Sequence, residues 1–166
     1  MIIRAATSSD AQAICDIWNP LIHDTTVTFT DTPKVPNDMQ VTLRERDGAF
    51  FVAERDAQVI GFASYSQFRS GPGYRHSQEL SINLAPDARG QGVGRALLER
   101  LEEHAFEQKT HSLIAAISGE NEAAQAFHAK LGYQTVALIP EVGQKFDRFI
   151  DLILMQKILG PSQLMP

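Results

Sequence analysis

Two groups of residues in this chain have the types and spacing that chemistry needs. The first is Arg89-Gly90-Gln91-Gly92-Val93-Gly94-Arg95, three glycines at alternate positions between an extended run ending near Leu84 and a helical stripe starting near Gly94. Without Cβ atoms the backbone can approach a ligand closely, and successive N–H groups at a helix start, where the dipole is positive, favour an anion. The stretch reads as a cradle for a diphosphate; the plainer alternative is a glycine-rich turn with a basic helix start. The second group is a polar strand face. Over residues 74–84, Arg75, Ser77, Glu79, Ser81 and Asn83 share one side while Leu80, Ile82 and Leu84 share the other. Its single carboxylate could take a proton from a nucleophile held in a cleft along the strand. An exposed carboxylate or an ion-pair partner is the alternative for Glu79.

What the cradle lacks narrows its ligand. A P-loop ends in Gly-Lys-Ser/Thr, but Gly94 is followed by Arg95 and Ala96, so no lysine reaches a terminal phosphate and no hydroxyl holds magnesium. A dinucleotide fingerprint would need its last glycine at Arg95 or Leu97. The 166 residues suit one domain, expected over residues 1–159, with a frayed tail at 160–166. A net charge of −5 offers no global attraction to nucleic acid or anionic lipid, so an anion site must be local. One cysteine, Cys15, precludes an internal disulfide and has no metal-spaced partner; it reads as a buried, inert thiol. No apolar run approaches the ~20 residues of a membrane span, and Met1-Ile2-Ile3-Arg4 begins no signal-peptide pattern. The expected location is the cytoplasm.

The elements that must position these groups follow from periodicity. Residues 2–5 read as a short strand, and Thr7 and Asp10 as a helix start. Ile14, Ile17, Trp18 and Leu21 then form a helical stripe that Pro20 should kink or end. Residues 23–29 could wall a pocket or be an ordinary loop. A helix over 35–46 precedes two strands, 50–54 and 59–67, joined at Asp56-Ala57 as a hairpin. After the cradle, Leu97, Leu98, Leu101 and Ala105 mark a helix to about Lys109, and residues 113–117 an interior strand. Gly119-Glu120-Asn121 turns into a helix carrying Ala124, Phe127, His128 and Leu131, stopped by Gly132. Residues 133–139 and 149–158 are two more strands, bridged by a polar loop over 141–148. This order is an α/β architecture, a mixed sheet with helices on both faces.

Arg89, Gly92 and Gly94 satisfy Arg/Gln-x-x-Gly-x-Gly/Ala, which resembles the coenzyme A pyrophosphate loop of the GNAT N-acetyltransferase superfamily. The element order matches that fold from Ile3 to about Leu159, which implies a mixed, mostly antiparallel sheet of about seven strands flanked by four helices. Gly73-Tyr74-Arg75 leading to Glu79, Asn121 with Leu131-Gly132-Tyr133, and Glu141-Val142-Gly143-Gln144-Lys145-Phe146 are similar to the phosphinothricin acetyltransferase branch. That branch acetylates the amino group of phosphinothricin, methionine sulfone and methionine sulfoximine. The resemblance implies acetyl-CoA as co-substrate, no metal, and Glu79 as general base. Ile82, Asn83 and Leu84 would offer backbone partners to the acetyl and pantetheine arm, Arg89 and residues 90–95 would hold the pyrophosphate, and Asn121 would contact coenzyme A. The helix tyrosine that often protonates the departing thiolate is replaced by His128, the candidate acid here. Arg69 and Arg75, flanking Gly73 and Tyr74, could clamp a substrate carboxylate bidentately, with Phe29 as a further pocket residue; solvated arginines are the alternative. The branch also implies a homodimer. Another amine acceptor (a polyamine, an aminoglycoside or a protein N-terminus) and a non-catalytic acetyl-CoA sensor remain alternative functions.

Overall fold

Residues 50–53 are apolar without alternation, Phe-Phe-Val-Ala, because both faces of the sheet they enter are covered. Phe50 and Val52 face one layer of helices with Phe62, whereas Phe51 and Ala53 face the other with Ala63, Leu80 and Leu113. The computed structural model describes residues 1–160. Its strands and helices are β1 (Ile2–Ala5), α1 (Ala11–Asp24), α2 (Pro36–Glu45), β2 (Phe50–Arg55), β3 (Gln58–Gln67), β4 (Ser77–Leu84), α3 (Val93–Glu107), β5 (Ser112–Ser118), α4 (Glu122–Lys130), β6 (Gln134–Lys145) and β7 (Arg148–Ile158). The seven strands form one sheet in the order β1-β2-β3-β4-β5-β7-β6. Every neighbouring pair is antiparallel except β4 with β5. Helices α1 and α2 cover one face and α3 and α4 the other. The expected architecture of about seven mixed strands and four helices is therefore present.

The parallel pair is short, and that shapes the site. β4 and β5 are in register only from Ser77↔Ser112 to Leu80↔Ala115, after which they part. The far half of β4 keeps β3 on one side and has no strand on the other.

Three local expectations change. Pro20 sits inside α1, which continues to Asp24; Pro20 and Asp16, whose carbonyl loses its ladder donor, are both exposed, so the missing bond falls on the solvent side of the helix rather than in the core. β4 begins at Ser77 rather than at Tyr74, because Pro72–Tyr74 closes into a 3-10 turn and Gln67 Nε2 donates to the Arg69 and Gly71 carbonyls. Arg75 thus precedes the strand face on which it was placed. The polar loop over 141–148 is instead the tip of a hairpin: β6 runs to Lys145, β7 starts at Arg148, and Phe146 and Asp147 make the turn at φ 51° and 58°. Asp56-Ala57 turns the β2–β3 hairpin in the same way, at φ 50° and 61°, as its spacing predicts. Of the tail expected over 160–166, residues 161–166 lie outside the described residues.

Candidate active site

The cradle follows a 3-10 turn at Pro86–Ala88 and leads into α3. Gly90 and Gly92 adopt φ 73° and 81°, the left-handed region glycine enters without strain, and a Cβ at either would have nothing within 4 Å. Gly92 caps α3, whose ladder starts with Ala96 N–H donating to the Gly92 carbonyl at 3.1 Å. The amides of Val93, Gly94 and Arg95 therefore lack intrahelical acceptors and carry the positive end of the helix. The Val93 side chain is core, so only its amide serves the loop. Gly94 has a different task from its two neighbours: a Cβ there would lie 3.2 Å from the Phe127 ring, so this glycine lets α3 pack against α4. Gln91 is a brace, accepting from Arg55 Nη1 at 2.9 Å and donating to the Asp87 carbonyl. Arg89 is exposed, as is Arg95, which pairs with Glu99 at 3.6 Å.

The parted half of β4 presents a one-sided edge. The Ser77 carbonyl accepts from Phe68 N–H, and Ala85 N–H donates to the Ile60 carbonyl, so odd-numbered backbone groups point at β3. Alternation then turns the amides and carbonyls of Ile82 and Leu84 toward the side that β5 has left. Asn83 differs from the expectation: its backbone pairs with Phe62 on β3, and only its side chain faces the cleft. Asn121, beyond the end of β5, caps α4 by accepting from Ala124 N–H at 3.1 Å, which leaves its amide NH₂ for a ligand. An unpaired strand edge between two helix N-termini, with an open glycine cradle at one of them, fits an extended polar arm ending in a diphosphate. Acetyl-CoA has that shape and charge, and among the described residues no cluster is placed to hold a metal.

Glu79 lies on the α1–α2 face, beside Ser66 of β3 and Ile114 of β5. It is half-buried and, among the described residues, its carboxylate has no hydrogen bond or ion pair. Burial pushes its carboxyl above the ordinary carboxylate range, and Arg46, just past α2, pulls only partly the other way. A carboxylate held so has a raised proton affinity and can serve as a proton acceptor. Arg46 carries no motif and was legible only once α2 had docked.

His128 is 3% exposed, with its ring edge-on to Phe127 and Tyr133. Its Nδ1 lies 2.9 Å from the Ala124 carbonyl, which can only accept, so the neutral ring carries its proton on Nδ1. Among the described residues Nε2 is left as a buried acceptor without a hydrogen-bond partner, with the Tyr133 hydroxyl and the Glu102 carboxylate near it. Burial pushes the His128 pKa down, more than the Ala124 bond and Glu102 raise it. In this geometry His128 is an acceptor, and donating to a thiolate would require the disfavoured imidazolium.

The other candidates do not converge. Arg69 lies over the Tyr74 ring at 5.7 Å, and Arg75 donates to the Pro72 carbonyl at 3.1 Å and to His76 Nε2 at 3.0 Å, all within the turn containing Gly73 before β4. Phe29 packs on Gly143 of β6, beyond the far ends of β4 and β5. The length of β4, roughly 25 Å, separates the two.

A family model described as the acetyltransferase (GNAT) family matches residues 13–133. The chain belongs to the GNAT acetyltransferase family. As a GNAT enzyme it is an acetyl-CoA-dependent N-acetyltransferase. It is similar to the L-methionine sulfoximine/L-methionine sulfone acetyltransferase of Pseudomonas aeruginosa, 36% identical over 99% of this chain and 98% of the relative. The solved structure of yncA of Salmonella typhimurium with its cofactor acetyl-CoA is 32% identical with a TM-score of 0.95, covering 100% of this chain and 98% of that one. The ribosomal-protein-alanine N-acetyltransferase of Brucella melitensis is 42% identical with a TM-score of 0.92, covering 96% and 100%. The GNAT cradle, open edge and carboxylate all fall within the matched segment.

Proposed function

We propose that this enzyme acetylates the amino group of a small amino-acid-like acceptor of the phosphinothricin, methionine sulfone or methionine sulfoximine type, with Glu79 as general base. One observation carries the reading: a half-buried, unpaired carboxylate of raised proton affinity stands on the polar face of the strand whose edge opens toward the cradle. The ammonium form of an amine cannot attack a thioester, so a proton must leave first. Ile82 lies three residues beyond Glu79, roughly 10 Å along the strand, so a water carries the proton from an amine at that level. The Ile82 and Leu84 amides, aimed at the open side, stabilise the developing oxyanion. Arg89 and the amides of residues 90–95 bind the diphosphate, with the Asn121 amide beside them. Phe29 walls the pocket end beyond Leu84, whereas Arg69 and Arg75, held within their own turn before β4, stand too far back along the strand to meet the carboxylate of a small amino acid whose amine lies at the Ile82 level.

The name of the Brucella relative favours one second reading, a peptide N-terminus as acceptor. A thiol-release screen tests both, comparing free amino acids, their sulfones and sulfoximines, and an alanine-terminated tripeptide. Turnover of the tripeptide alone would overturn the small-acceptor reading. We further propose that residues 1–159 act as one domain and that two copies pair through β6 and β7. There Val136, Leu138, Val142, Phe146 and Phe149 are exposed on an edge hairpin. No helix among the described residues is long and apolar enough to cross a membrane, and the cytoplasm is the location we propose.

A further inference from the structure

A groove of about 500 Å³ lies between α1, the β2–β3 turn and the chain that follows β4. Its size falls within the roughly 300–1,000 Å³ of small-molecule sites. It is separate from the cofactor cleft. Ala57 and Val59 line it from the β3 side of β4, whereas the free edge at Ile82 and Leu84 opens on the β5 side. Of the cradle only Arg89 reaches it, and neither Asn121 nor any residue of β5 does. It is separate from the acceptor cleft as well. Glu79 does not line it and stands five residues before Leu84, roughly 17 Å back along the strand.

The walls of the groove are apolar and its free charges are opposite. α1 sends Ile14, Cys15 and Ile22 into the core, while Ala13, Ile17 and Leu21, on a second stripe, stay half-buried and line the groove. Pro20 has no N–H to give the Asp16 carbonyl, and both residues line the groove. Asp16 adds an exposed carboxylate that accepts from Gln12 Nε2 at 2.8 Å and has lone pairs to spare. That corner offers acceptors to a cation. On the wall that follows β4, the Arg89 guanidinium has no side-chain partner among the described residues. Arg4 and Asp10, also at the rim, neutralise each other at 2.8 Å. One free anion and one free cation flanking apolar surface complement a dipolar ligand with an apolar body.

We propose that this groove is an effector site for a free, zwitterionic amino acid with an aliphatic side chain, its ammonium at Asp16, its carboxylate on Arg89 and its side chain against Ile17, Leu21 and Val59. Arg89 is then shared with the diphosphate of acetyl-CoA, so effector and cofactor oppose each other, and by linkage each weakens the other by the same factor. The antagonism rests on the diphosphate role given to Arg89 above; binding in the groove does not. Calorimetry with L-leucine, in the absence of acetyl-CoA, should show binding. 4-Methylpentanoate, which lacks the ammonium, and 3-methylbutylamine, which lacks the carboxylate, should each bind about tenfold more weakly or worse. Ala13→Phe, which fills the groove, should abolish leucine binding. Asp16→Asn, a change at an exposed carboxylate that guards against a variant that fails to fold, should weaken it about tenfold. Neither should alter acetyl-CoA affinity measured without leucine. Saturating leucine should weaken acetyl-CoA binding about fivefold or more, and acetyl-CoA should weaken leucine binding equally. Absence of leucine binding, or binding that survives both substitutions because leucine sits in the acceptor cleft, overturns the site. Leucine that binds in the groove and leaves acetyl-CoA affinity unchanged overturns the antagonism; if Arg89→Ala also leaves that affinity unchanged, the diphosphate reading of Arg89 has failed and the groove has not.

Discussion

Replacing Glu79 by Gln keeps the shape of the side chain and removes its capacity to accept a proton. A positioned general base is worth about 10² to 10⁴ in rate, so kcat should fall by that factor at pH 7 while acetyl-CoA affinity stays nearly unchanged. The lower part of the range is expected here, because the roughly 10 Å from Glu79 to the Ile82 level means that water already relays the proton. Burial raises the Glu79 pKa, so in the native enzyme kcat/KM should decline as pH falls through a value above the ordinary carboxylate range, and this limb should vanish in the variant. The stability effect has the opposite sign from that of a structural carboxylate. Since the folded pKa is raised, the group's favourable contribution is complete below the unfolded value and is lost as pH rises through the folded one. Glu79→Gln should therefore raise Tm at pH 7 and leave it unchanged near pH 3. The assays are kcat/KM against pH and thermal melts at both pH values, and high pH, where the amine is already neutral, should shrink the deficit. A variant with near-normal turnover at pH 7, or one whose Tm drops, would refute the reasoning.

Gly92→Val forces a β-branched residue to φ 81° and fills space that is open in the cradle, so it should cost about 1–3 kcal/mol of stability and weaken acetyl-CoA binding; calorimetry on the folded variant checks this, and unchanged affinity tells against the cradle. Arg4 bonds both oxygens of Asp10 at 2.8 Å and Glu54 Oε2 at 2.6 Å, holding Asp10 down at about 2. Asp10→Asn should cost about 2 kcal/mol at pH 7; that contribution is present above the unfolded pKa and lost as pH falls through about 2, so the gap between the two proteins' melts should close in acid. Arg75 is tied to the Pro72 carbonyl and His76 before β4, so Arg75→Ala should leave the KM of both the acceptor and acetyl-CoA nearly unchanged; a rise of about tenfold or more in the acceptor KM alone would place the acceptor carboxylate at that turn instead.

The parts of the site readable from the chain are those written in local backbone chemistry. Gly90 and Gly92 were legible because a left-handed φ and close ligand approach both demand glycine, and Glu79 because strand alternation sets it on a polar face whatever lies beyond. The same locality explains the misreadings. Nothing within a few residues of Gly94 shows that its missing Cβ makes room for Phe127, nor that residues 141–145 extend a strand, since their polar composition resembles a loop until β7 pairs with them. The parting of β4 from β5 after Leu80 comes from sheet packing, and with it the open edge at Ile82 and Leu84. Tertiary structure alone also decided that Arg46 stands beside Glu79, that His128 spends its Nδ1 proton on its own helix, and that Lys145 holds a carbonyl 117 residues away. Such contacts depend on how whole elements dock, a sum over many weak packing terms, so no single spacing in the chain encodes them.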